Sequence, residues 1–329
     1  MTLSLIPALT RRAAIASALA LAIAAPAAAQ TAPEGPIEFT VGAGAGGTPD
    51  VIMRTLAKVM NETGAVTNPI VVQNRSGGGH SNAYNHVLGM PGDRNTLLTL
   101  ASPVFTTPIV QGTPSVIDQI TPIASIVATE LMLVVRPSSP HQTLADFVAA
   151  AKANPGRTRI AGGSAGGNDH LLTALLEQKA GIDMTYIPHE SGSAGRATFL
   201  GDNVEGLFAT LAEGMEMIAS GDARPLAIFS EARRTEDGVK DIPTAREQGV
   251  DMVYTQFWGV GGPAEMDPAL AQWWAGKFEA ALSSPEWKAY VAENMMLENF
   301  RALDDAGAYF KEQQGIFREL LTAVGLAKG

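Results

Sequence analysis

Twice in this chain a short β-rich apolar run breaks into a glycine-rich turn and passes directly into a helix, at 37–60 and at 160–176. This repeated unit constrains the fold more than any other feature. Parallel strands need a crossover between them, usually a helix, so strand, turn and helix in succession build α/β sheets. In the first unit Ile37 to Val41 reads as a strand, and GAGAGGTPD runs from Gly42 to Asp50. Its helix is expected from Pro49, with Thr48 as N-cap and Ile52, Leu56, Val59 and Met60 at helical spacing. In the second, Ile160-Ala161 leads into AGGSAGGNDH, Ala161 to His170, and a helix bearing Leu171, Leu172, Leu175 and Leu176.

The rest of the chain keeps the same alternation. Strands are expected at Pro69 to Val72, Thr96 to Leu100, Ile123 to Val127, Leu131 to Val135, Met184 to Ile187, Val204 to Phe208, Leu226 to Phe229 and Val253 to Val260. A helix begins near Ser81, and another opens on a Thr143/Asp146 capping box and stops before Pro155-Gly156. Glu231 to Lys240 reads as a solvated loop, and three helices finish the chain without intervening strands. Terminal helices of that kind complete an earlier domain, which gives two α/β lobes with the chain crossing between them twice. The chain's 329 residues suffice for two domains, and 46% hydrophobic against 17% charged residues excludes disorder.

Each glycine turn admits competing chemistries. Gly42, Gly44 and Gly47 match a dinucleotide-binding G-x-G-x-x-G, but the acidic ribose partner expected about 20 positions on is replaced by Gln73-Asn74 after Val72. Gly162, Ser164 and Gly166 match the nucleophile elbow of an exported serine hydrolase. Its acid and histidine would then be Asp183 and His189, a set compressed into 26 residues. A third reading needs no covalent step: helix N-termini with free N–H groups bind carboxylates or phosphates, and glycines let the ligand approach. Two such turns facing a cleft would hold one anion from both sides. Both turns also suit plain tight connections.

Composition narrows the field further. With no cysteine, disulfides, thiolate metal sites and cysteine nucleophiles are excluded. A net charge of −10 argues against nucleic-acid binding, which needs a basic face. His80 and His86 have no carboxylates arranged around them, so no metal and no cofactor are expected. Arg11-Arg12, the apolar run Ala13 to Ala25 and Ala27-Ala28-Ala29 form an export signal cleaved after Ala29, with a retained membrane anchor as the alternative.

At these turns the sequence resembles the extracytoplasmic solute receptors of tripartite tricarboxylate transporters, the Bug receptors. The carriers are Gly46-Gly47-Thr48-Pro49-Asp50 with Arg54, VVQNRSGGG (Val71 to Gly79) and AGGSAGGNDHLL (Ala161 to Leu172). Ile187-Pro188, Arg224-Pro225-Leu226, Ile242-Pro243-Thr244 and Trp258-Gly259-Val260 support them in order. The resemblance implies a periplasmic binding protein of type II-like α/β fold, with two lobes, an interlobe cleft and two crossover strands. It implies lobe 1 at 30–130 plus 253–329 and lobe 2 at 131–252. A small carboxylate, di- or tricarboxylate or a related organic acid, would be delivered to a two-subunit membrane permease by a monomeric receptor that is not an enzyme.

Carried over by motif, Ala43, Gly46, Gly47 and Thr48 would meet the ligand from lobe 1, and Ser164, Gly167, Asn168 and His170 from lobe 2. His189, Thr210 and Trp258 complete the expected set, with Phe257 and Arg196 as further candidates. Asp50 and Asn74 are expected to fix loops by hydrogen bonds, and Trp273 and Trp274 to pack. His189-Glu190 and Ala209-Thr210 depart from the family's usual residues, as does the Gly42-Ala43-Gly44 lead into the first turn. These departures bear on which ligand is bound.

Overall fold

The computed structural model describes residues 32–323 and 325–328. The expected signal and its cleavage point after Ala29 lie outside the described residues. No helix among the described residues is long and apolar enough to cross a membrane.

Strands β1 (Ile37–Val41), β2 (Ile70–Asn74) and β3 (Thr96–Leu100) run parallel, with β1 in the middle. Every residue of β3 is buried, as expected of a strand covered on both faces. Helix α1 (Thr48–Glu62) follows the first turn and buries Ile52, Met53, Leu56, Val59 and Met60. Its N-cap is Gly47 and not Thr48, which is the first helical residue and leaves its hydroxyl free for other work. Helices α2 (Ser81–Leu88) and α3 (Ser102–Gln111) complete this stretch. Sequence periodicity passed over α3, whose polar Thr106 and Thr107 are buried and blur its apolar face.

The two runs expected at 123–127 and 131–135 are one strand, β4 (Thr121–Val135). Its middle, Ala128-Thr129-Glu130, keeps extended pairing with β9 (Thr255–Gly262), so no turn interrupts it. The second half of the chain repeats the first design. Strands β5 (Thr158–Gly162), β6 (Met184–Pro188) and β7 (Gly206–Thr210) are parallel, with β5 between the others. Helices α4 (Leu144–Ala153), α5 (Asn168–Ala180), α6 (Gly192–Leu200) and α7 (Leu211–Ala219) cross between strands, and β8 (Arg224–Ile228) pairs with β4. The Thr143/Asp146 capping box opens α4 as the sequence indicates.

The strand order β2-β1-β3-β9-β4-β7-β5-β6 makes one path through two lobes. β4 carries both: residues up to Glu130 pair with β9, and Leu131 to Val134 pair with β7. After α8 (Pro268–Leu282) and α9 (Pro285–Glu293) a strand absent from the sequence expectation, β10 (Leu297–Ala302), pairs with β4 before α10 (Leu303–Ala323). Its sequence LENFRA is polar and bulged, which hides it from a hydrophobic pattern. The 231–240 segment is also not a simple solvated loop. Arg234, only 10% exposed, pairs at 2.8 Å with Glu130 on β4 and donates to the Met295 carbonyl.

Candidate functional site

Both glycine turns are built to one plan. In the first, Gly46 at φ 77° gives its N–H to Asp50 Oδ2 at 2.9 Å, Gly47 N–H goes to Gly44 O, and Val51 N–H returns to Gly47 O. In the second, Gly166 at φ 80° gives its N–H to His170 Nδ1 at 3.0 Å, Gly167 N–H goes to Ser164 O, and Leu171 N–H returns to Gly167 O. The positive φ of Gly46 and Gly166 is where glycine is needed, since other residues are strained there. Neither Gly47 nor Gly167 offers a side-chain cap. The N–H groups of Thr48, Asp50, Asn168 and Asp169 therefore have no protein acceptor among the described residues.

A cavity of about 140 Å³ lies between the turns. Its wall includes the N-cap residues of six helices: Gly47 of α1, His80 of α2, Ala101 of α3, Gly167 of α5, Ser191 of α6 and Thr210 of α7. This follows from topology, because helix N-termini and strand C-termini meet on one side of a parallel sheet. Six partial positive ends thus face one space. One formal cation, Arg196, also reaches it, but its guanidinium pairs at 3.2 Å with Glu216.

The expected residues Ala43, Gly46, Gly47, Thr48, Ser164, Gly167, Asn168 and Thr210 all line this cavity. Three others do not. Trp258 is fully buried in the core of the first lobe with Trp274 and Leu270, because β9 is covered on both faces from Phe257 onward. Only Gln256, nearer the start of that strand, reaches the cavity. His170 turns back to accept from Gly166 and stacks on Tyr186 at 4.4 Å, with ring planes 3° apart. His189 lies outside the wall with its Nε2 buried, while Glu190 and Ser191 beyond it line the space. Phe257 packs edge-on against Phe105 in the core.

Sequence reasoning missed Asp169, His80 and Glu213, all on the wall. Burial, with the Glu213 charge adding to it, pushes the Asp169 carboxyl up to about 6 against the Gly163 N–H it accepts. Burial pushes the His80 imidazole down to about 4, and its Nδ1 has no partner. Glu213 closes a capping box with Thr210 and also accepts from Thr48 Oγ1 at 3.0 Å, joining the two lobes. Asp50 and Asn74 fix the first loop as expected. Burial alone would raise the Asp50 carboxyl, but Arg54, Gly46 and Asn74 hold it below its usual value. Asn74 also ties down Ala43 O at 3.0 Å.

The residues from 52 to 325 match the family described as tripartite tricarboxylate transporter family receptor, TctC. The chain belongs to this family. Its members are receptors, and this chain is one of them. Protein BugT of Bordetella pertussis is 31% identical over 256 residues, 75% of this chain and 76% of that protein. The fold is that of the periplasmic binding protein BugD, at TM-score 0.81 and 21% identity over 90% of this chain and 100% of that one. An R. palustris protein solved with adipate has the same fold at TM-score 0.81 and 21% identity, covering 90% of this chain and 99% of that one.

Among the described residues Ser164 Oγ has no side-chain hydrogen-bond partner, and His170 Nδ1 accepts from Gly166. No group of three or more His, Asp or Glu among the described residues is arranged to hold a metal ion.

Proposed function

We propose that this chain is a periplasmic, non-enzymatic receptor that captures a small carboxylate between its lobes and delivers it to a two-subunit membrane permease. The observation that carries the reading is the convergence of six helix N-caps on one cavity of an acidic protein. Long-range steering of an anion by a net charge of −10 is unfavourable, but local dipoles act at the first turn of each helix. Family membership and the adipate found with a protein of the same fold support a carboxylate. In this reading the free N–H groups of Thr48, Asn168 and Asp169 and the hydroxyl of Ser164 are the donors. The lobes are 30–130 with 253–329, and 131–252, with the hinge where β4 passes from β9 to β7 after Glu130, opposite the start of β9 at Thr255. Closure about that hinge around the ligand gives a monomeric receptor two states that a permease can distinguish.

Differential scanning fluorimetry against a panel of mono-, di- and tricarboxylates tests this directly. A ligand present at one hundred times its dissociation constant should stabilise the protein by about 2.7 kcal/mol. The same ligand should lose at least tenfold in affinity in Ser164→Ala. A panel in which no carboxylate shifts the melting temperature sinks the proposal.

A further inference from the structure

Both turns keep free N–H groups, those of Thr48 and Asp50 at the first and of Asn168 and Asp169 at the second, but among the described residues only the second also keeps its hydroxyl free. At the first, Thr48 Oγ1 already donates to Glu213 Oε1 at 3.0 Å. The other carboxylate oxygen, Oε2, accepts from Thr210 Oγ1 at 3.0 Å and from Thr210 N–H at 3.3 Å. Glu213 is therefore held from both sides, at the start of α1 and at the start of α7. At the second turn Ser164 Oγ and the Asn168 and Asp169 N–H groups have no protein acceptors among the described residues.

We propose that Glu213 is the specificity-determining residue of the cleft: it stands at the first turn in place of a ligand carboxylate, so the site takes monocarboxylates with an uncharged remainder. The inference rests on the carboxylate-receptor reading above. A second ligand carboxylate at Thr48 would compete for the same hydroxyl and lie within a few ångströms of the Glu213 charge, where repulsion is strong in a partly dry cavity. The rest of the wall agrees. Asp169 and Glu190 add acidic groups, and the cavity's one formal cation is paired with Glu216. Ala101, Pro103, Leu131, Leu207 and Phe208 supply an apolar stretch suited to an uncharged chain.

The matched pair of adipate and hexanoate, six carbons each, differs by one carboxylate and makes the test. Isothermal titration calorimetry on the full mature chain should give wild type at least a tenfold preference for hexanoate. In Glu213→Gln the adipate-to-hexanoate affinity ratio should rise at least tenfold. Gln keeps the capping box with Thr210, and an unchanged melting temperature verifies that the fold is retained. Glu213→Asp, which keeps the charge, should keep the hexanoate preference. Adipate binding to wild type at least as tightly as hexanoate, or a ratio unmoved in Glu213→Gln, overturns the assignment while leaving a carboxylate receptor standing. Binding of neither acid, nor of any in the wider panel, to wild type or variants overturns both.

Discussion

Asp50 and His170 hold the same place in the two turns that face the cavity. Each lies four residues beyond a left-handed glycine and accepts that glycine's N–H, through Oδ2 to Gly46 at 2.9 Å and through Nδ1 to Gly166 at 3.0 Å. The first turn is thus braced by a carboxylate and the second by an imidazole. The two braces answer differently to pH, since an imidazole accepts at Nδ1 only while that nitrogen is unprotonated.

Burial lowers the His170 pKa below its ordinary 6.5. The unfolded chain therefore binds the proton first as pH falls, and stability present above pH 6.5 is lost on descending toward the folded value. His170→Ala should cost about 1–2 kcal/mol at pH 7.5 by orphaning the Gly166 N–H. That difference should shrink toward pH 5, because there the unfolded wild-type chain takes up a proton that burial makes the folded imidazole resist. Urea unfolding at the two pH values measures it, and a difference that grows on acidification refutes the account.

Asp169 carries the opposite sign. Burial, with the Glu213 charge adding to it, raises its carboxyl from 3.8 to about 6. Between those values the folded state binds more protons than the unfolded one, so this group's contribution falls as pH rises and its cost is complete above about pH 6. Asp169→Asn removes the cost while its amide oxygen still accepts from Gly163 N–H. The variant should be more stable than wild type at pH 7.5, on the order of 1–2 kcal/mol, and equal to it near pH 4. Thermal melts at both pH values decide it.

Much of this arrangement was legible in the sequence, and the gaps have physical causes. Strand–turn–helix order exposed the two turns, and the motifs shared with the resembled family pointed to seven of their residues on the cavity wall. Glu213 stayed hidden because its role depends on Thr48, which is 165 residues away and reaches it only when the lobes meet. His80 reads as a loop residue until its left-handed φ of 69° and the turn at Gly42 bring it to the wall. Trp258 was misplaced because strand alternation does not tell where along β9 the helices begin to cover it. The β10 strand was missed because it is polar, and pairing with β4 is a tertiary fact.

The close packing of Gly42 and His80 gives a steric prediction. A Cβ at Gly42 would come within 2.4 Å of His80 Cγ, far inside van der Waals contact. The His80 ring has to leave its place in Gly42→Ala, at a cost of about 1–3 kcal/mol for overpacking. Since His80 also lines the cavity, ligand affinity should fall together with the melting temperature. A Gly42→Ala protein with wild-type stability and affinity shows that the ring does not need this space.

Tyr254 links the crossover into β9 with the start of α5, and the link is open to a double-mutant cycle. Its hydroxyl donates to Asn168 Oδ1 at 2.6 Å, with Tyr254 6% and Asn168 8% exposed. Removing the hydroxyl in Tyr254→Phe leaves the Asn168 oxygen buried and unpaired, which costs about 1–3 kcal/mol. If the loss comes from that one bond, adding Tyr254→Phe to Asn168→Ala should change stability by only a few tenths of a kcal/mol. Asn168 is also the first residue of α5, at the cavity, so the single Tyr254→Phe change should weaken carboxylate binding by loosening the second turn. Full additivity of the two substitutions would mean that the hydroxyl and the amide contribute separately, and that the crossover does not brace the turn.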